Sequence, residues 1–117
     1  MTTGTYAPRW PDHINLVFGA WLVLAPLSGI GAVADAAAWN SYVVGLAVAL
    51  LSLAALARPQ PWKEWLNLAL GVWLVAAPMA LGFGAQSGPA WNHVIAGLVV
   101  GINAWRMIAQ HPGPRFD

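Results

Sequence analysis

The sequence predicts an all-α membrane protein. Four transmembrane helices form two helical hairpins, parallel repeats related by a pseudo-two-fold axis along the membrane normal. Three observations lead there. The chain repeats itself at a constant offset of 52 residues, as from Trp10 to Trp62 (62 − 10 = 52). It is 59% hydrophobic and only 8% charged, with eight Trp in 117 residues, whereas a soluble domain charges roughly a quarter of its residues to clothe its surface. Its basic residues also fall on one side of the predicted spans.

The repeat needs no gap. Trp10-x-Asp12-x-Ile14-Asn15-Leu16-x-x-Gly19-x-Trp21-Leu22-Val23-x-Ala25-Pro26 returns as Trp62-x-Glu64-x-Leu66-Asn67-Leu68-x-x-Gly71-x-Trp73-Leu74-Val75-x-Ala77-Pro78. Further on, Ala38-Trp39-Asn40 with Gly45-Leu46 returns as Ala90-Trp91-Asn92 with Gly97-Leu98. A period of this length marks one supersecondary unit used twice. The chain therefore divides into a tail (1–9), a first repeat (10–57), a linker (58–61), a second repeat (62–109) and a second tail (110–117).

The elements follow in order. Apolar stretches near 13–30, 39–57, 65–83 and 91–108 are long enough to cross a hydrocarbon core of ~30 Å as helices. They lack the strict alternation of barrel strands. Arg58-Pro59-Gln60-Pro61 stops one helix and starts the next. Loops near 31–38 and 84–90, rich in Gly, Ala, Ser and Pro, close the hairpins. Ala32-Val33-Ala34 imitates a signal-peptide cleavage site. The preceding stretch, however, holds Asn15 and Pro26 where the second half has Asn67 and Pro78, so a first span is the expectation. Arg9, Arg58, Lys63, Arg106 and Arg115 all lie on the side of the termini and the linker, while the hairpin loops carry only Asp35. The positive-inside rule then places both termini in the cytoplasm.

Composition also excludes chemistry. Without Cys there is no disulfide, thiolate nucleophile or Cys-ligated metal site. A net charge of +1 offers no field for nucleic acid. No metal-ligand set, nucleophile–base pair or phosphate loop is present, so no metal site, cofactor or catalytic residue is expected.

What remains is packing hardware and a few polar positions. Trp10, Trp62, Trp65 and Trp105 at one membrane face, with Trp39 and Trp91 at the other, read as an interfacial aromatic belt. Trp21 and Trp73 sit mid-span and need partners for their N–H groups. Asn15, Gly19 and Pro26 share a helical stripe with Leu22, as Asn67, Gly71 and Pro78 do with Leu74. This is the pattern of a close interhelical contact with an Asn hydrogen bond across it. Lining a solute path is the alternative. Asn40 and Asn92 either make similar clamps or cap the second and fourth spans.

Pro26 and Pro78 predict a kink or an early helix end near the hairpin loops. Gly45 and the Gly97-x-x-x-Gly101 run extend the small-residue seam, as internal packing or a dimer contact. His93 stands where the first copy has Ser41. It is the weak candidate for a haem or pigment ligand or a proton carrier, with an interfacial hydrogen bond as the plainer role. His13 and His111, near span ends, have weaker claims. The acids lie outside the apolar cores. Asp12 and Glu64 are repeat-equivalent, each suited to a helix N-terminus; acting as a carboxylate pair would require the two copies to meet at the axis.

The repeated Trp-x-x-x-[Ile/Leu]-Asn-Leu-x-x-Gly-x-Trp-Leu-Val-x-Ala-Pro, followed by Ala-Trp-Asn and Gly-Leu, resembles the SPW repeat family of small prokaryotic membrane proteins. The resemblance runs from about Trp10 to Trp105. The triplet that names the family reads Ala25-Pro26-Leu27 and Ala77-Pro78-Met79 here, keeping the proline and lacking Ser and Trp. The resemblance implies an integral inner-membrane helical protein without an established catalytic activity. The expected function is a non-enzymatic membrane scaffold or accessory subunit, embedded in the lipid bilayer and packing with itself as a homo-oligomer or with a larger membrane complex. The alternatives are a small-solute channel or carrier lined by Asn15, Asn67 and His93, and a haem- or pigment-binding subunit through His93.

Overall fold

The computed structural model describes residues 9–110; His111, Arg115 and most of both tails lie outside them. Its elements are α1 (Trp10–Leu24), a 3-10 turn (Ala25–Ser28), α2 (Ala36–Ala57), α3 (Pro61–Ala80) and α4 (Ser87–Ala109). No strand occurs among the described residues, as the lack of alternation in the sequence predicts.

Local chemistry sets the helix bounds. α1 and α3 open with Pro11 and Pro61 in the first turn, where a missing N–H is harmless, and with Asp12 and Glu64 at the positive end of the helix dipole. Asp35 caps α2 by accepting from the Ala38 N–H at 2.9 Å. α4 starts at Ser87. Asn40 and Asn92 therefore lie inside their helices, which leaves the interhelical clamp of the two roles considered for them.

The two prolines behave differently. Pro26 falls in the 3-10 turn that ends α1, whereas α3 runs through Pro78 to Ala80, with the Leu81 N–H bonded to Ala77 O at 2.8 Å. Gly82, at φ 80°, then turns the chain in a backbone region that disfavours any side chain.

α1 packs chiefly on α2, and α3 on α4. The contacts are backbone to backbone. A Cβ added at Gly19 would lie 2.6 Å from Ala49 N, and one at Gly45 2.6 Å from Leu22 Cβ. Added at Gly71 it would lie 2.6 Å from Gly101 N, and at Gly97 2.6 Å from Gly71 O. The Gly97-x-x-x-Gly101 run thus serves the α3–α4 contact within one chain. Between the hairpins, Leu22, Val48, Leu74 and Val100 are fully buried and join Val44 and Ala96 in one core.

The outer surface is apolar. The six belt tryptophans (Trp10, Trp39, Trp62, Trp65, Trp91 and Trp105) are all exposed. Trp65 and Trp105 meet edge to face at 6.4 Å, and the Arg106 guanidinium lies 5.5 Å from the Trp10 ring. By length and composition, α2 is the single described helix apolar enough to cross a membrane, with a mean hydropathy of 1.9. α1 has only 15 residues, and α3 and α4 bury Lys63, Glu64, Asn67, His93 and Asn103.

Candidate functional site

The polar side chains of the spans converge between the hairpins. Asn15, fully buried on α1, donates from Nδ2 to Val100 O and accepts at Oδ1 from Asn103 Nδ2, both at 3.3 Å on α4. Asn67, equally buried on α3, donates to Ser52 Oγ on α2 at 3.1 Å. Trp21 Nε1 on α1 donates to Asn92 Oδ1 on α4 at 2.8 Å, and Trp73 Nε1 on α3 donates to Asn40 Oδ1 on α2 at the same distance. Glycine thus closes each hairpin internally, and hydrogen bonds join one hairpin to the other. Asn15 and Asn67 occupy matched places but bond unlike partners, because Asn103 stands where the first copy has Leu51, and Ser52 where the second has Ala104. Ser52 escaped the sequence reading, although it continues the 3–4 spacing of Ser41, Gly45 and Val48 on α2.

A charged cluster lies at the end holding the α2–α3 joint. Asp12 is fully buried, and Glu64 is 3% exposed. Both were expected outside the apolar cores; the hairpin–hairpin contact buries them. The two carboxyl groups come together around one guanidinium. Arg9 Nη2 bonds Asp12 Oδ2 and lies 3.6 Å from Glu64 Oε2. Glu64 lies just ahead of the apolar part of α3. Burial first, and then the neighbouring Asp12, push its carboxyl up to about 8, against the smaller lowering influence of Arg9. Lys63 is turned elsewhere: its Nζ donates to Ala54 O at 3.2 Å and Arg58 O at 2.8 Å, satisfying the C-terminal carbonyls of α2.

At the opposite end, His93 is buried, with Nδ1 2.9 Å from Pro89 O and its ring 4.7 Å from that of Phe83. Ser41, its counterpart in the first copy, donates instead to Leu22 O. His93 Nε2 has no partner. A cavity of about 10 Å³, bounded by Ala38, Ser41, Pro89, Asn92 and His93 among others, lies beside it. That is room for one water and far too little for a tetrapyrrole. Leu22, Val48, Leu74 and Val100 separate His93 from Asn15 and Asn67. His13 is exposed and takes no part.

The outer face of α3 and α4 carries an open apolar groove of about 280 Å³, with Gly71, Gly97 and Gly101 along it and Val72, Leu98 and Trp105 among its walls. The first copy has Ala49 and Leu53 where the second has Gly101 and Trp105.

Two tightly closed helical hairpins with an internal polar seam and an apolar exterior define a small helical protein of membrane type. The chain belongs to the SPW repeat family: the model of the SPW repeat domain matches residues 9–106. That match spans both repeats, as the motif spacing implies. Family membership and the apolar α2 both point to a membrane protein. Searches of curated proteins and of solved structures each gave no match.

Proposed function

We propose that this protein is a non-enzymatic scaffold or accessory subunit of the prokaryotic inner membrane, acting through its outer surface. It crosses the bilayer four times, with the hairpins related by a pseudo-two-fold axis along the membrane normal and both termini in the cytoplasm. One observation carries the reading. Asn15 and Asn67, the polar residues best placed to line a path, are sealed and hydrogen-bonded to other parts of the chain, and four fully buried aliphatic side chains close the level beyond them. A solute has no polar route to follow, so specificity falls to the exterior.

Other features support the topology. α1 with its 3-10 extension reaches roughly 30 Å at the usual rises, the thickness of a hydrocarbon core. Arg9, Arg58, Lys63 and Arg106 gather at one end of the bundle, with Asp35 at the other. The surface feature that differs between the copies is the α3–α4 groove, and we assign the packing contact to it.

The lack of native Cys makes the test clean. Single Val72→Cys and Leu98→Cys variants, oxidised in native membranes, are expected to form disulfide-linked species. Cys placed at the equivalent Ala20 and Leu46 on α1 and α2 is expected to stay monomeric. Equal crosslinking at all four positions, or none in native membranes, sinks the groove as the contact. Solute uptake by proteoliposomes that is lost in both Asn15→Leu and Asn67→Leu would replace the scaffold reading with a carrier.

A further inference from the structure

The charged cluster at the joint end is short of hydrogen-bond donors. Asp12 presents two oxygens: Oδ2 is held by Arg9, and Oδ1 is buried without a partner. Both Glu64 oxygens are buried and lack a conventional donor. Asn67, one turn further along the same face of α3, spends its Nδ2 on Ser52 and leaves Oδ1 buried and unpartnered. Among the described residues, two buried carboxyl groups therefore face a single, partly exposed guanidinium, one positive charge short of neutrality. Unpaired buried charge of this kind is strongly unfavourable.

The other charged and polar groups on the packed elements are placed elsewhere. From the start of α1 comes Arg9, already engaged. His13 is exposed and points away. From α3 comes Lys63, committed to Ala54 O and Arg58 O. α2 contributes Ser52 and, past its end, the exposed Arg58, while α4 contributes Asn103 and the exposed Arg106, which stacks over Trp10. None of these supplies the missing donor.

We propose that Asp12 and Glu64 bind one proton between them, forming a proton-binding site at the hairpin–hairpin contact. Glu64 carries the proton, and Asp12 is held through Oδ2 by Arg9. The O–H so created donates to Asp12 Oδ1, which satisfies that oxygen and removes the excess charge together. A metal cation fits less well: the adjacent guanidinium repels it, and few oxygens remain to replace its hydration shell. The aliphatic layer of Leu22, Val48, Leu74 and Val100 closes the seam beyond Asn67, so the proton exchanges on the joint side. This site is independent of the surface role proposed above.

Glu64 is the single glutamate in the chain, which permits a direct test without mutation. The protein is made by cell-free synthesis with glutamate labelled at Cδ with carbon-13 and placed in phosphatidylcholine nanodiscs. The labelled resonance is followed from about pH 4 to about pH 10, spanning ordinary carboxyl values and beyond. The expected result is one titration with a midpoint at least ~2 pH units above an ordinary glutamate. Asp12→Asn is expected to lower the midpoint and Arg9→Gln to raise it. A midpoint in the ordinary carboxylate range overturns the proposal. So does a midpoint unmoved by both variants, or one that falls when sodium replaces choline in the buffer, which would reveal a competing metal cation. Should either variant fail to fold, the wild-type midpoint and its sodium dependence decide the question.

Discussion

Trp21 on α1 donates its indole N–H to Asn92 on α4 at 2.8 Å, and the repeat-equivalent Trp73 makes the same bond to Asn40 on α2. One duplicated residue pair, running from the first helix of each hairpin to the second helix of the other, therefore ties the hairpins together twice. Removing one bond leaves an indole N–H or an amide oxygen without its partner. Asn92→Leu and Asn40→Leu are each expected to destabilise the bundle by ~0.5–2 kcal/mol, the range measured for hydrogen bonds between helices in a bilayer. The double variant is expected to be additive within ~0.5 kcal/mol because the sites share no partner. Unfolding in mixed detergent–lipid micelles measures all three.

The glycines separate into two kinds. A methyl group at Gly97 would meet Gly71 O at 2.6 Å, whereas at Gly101 its nearest contact is ordinary, at 3.9 Å. Gly97→Ala is therefore expected to lose ~2 kcal/mol or more through overpacking. Gly101→Ala, which reproduces Ala49 of the first copy, should stay within ~1 kcal/mol of wild type. Equal effects at the two positions would refute the close backbone contact.

Stability should depend on pH through Glu64. Its carboxyl is raised from 4.5 to about 8 in the folded protein, so between those values the folded state binds more protons than the unfolded state. The contribution is fully present below the lower value and is lost as pH rises through the higher one. Thermal unfolding in detergent should therefore show a melting temperature that falls on going from about pH 6 to about pH 9. Glu64→Gln, neutral throughout, should flatten that dependence.

His93 fills space that Ser41 does not. His93→Ser, which restores the residue of the first copy, enlarges the cavity beside Pro89 and removes the Phe83 ring contact. The expected loss is ~1–3 kcal/mol, with the fold kept. A visible absorption band in the purified wild-type protein that this variant removes would instead make His93 a pigment ligand.

Much of this was legible in the residues. The constant offset gave two matched units, helical spacing gave the stripes of Asn15, Gly19 and Leu22 and of Asn67, Gly71 and Leu74, and the prolines gave the joints. Three things were not legible. Asn40 and Asn92 read equally as clamps or as caps, and only the fold shows that each helix begins upstream of them and that they accept from the opposite hairpin. Pro26 and Pro78 look alike, but one ends a helix and the other is accommodated within it. Asp12 and Glu64 read as first-turn acids outside the apolar cores, because a sequence shows the turn they occupy and not the neighbour that covers it.

By itself the sequence determined the four helices, their pairing into two hairpins and the family, since these depend on local period, turn residues and composition. The tertiary structure decided how one hairpin meets the other. That contact buries Asp12 beside Glu64, directs Asn15 to Asn103 and Asn67 to Ser52, and isolates His93 behind an aliphatic layer. The reason is physical. Secondary structure follows from neighbours along the chain, whereas desolvation and hydrogen-bond partnership follow from neighbours in space, and two copies of one motif can meet in only one of several ways.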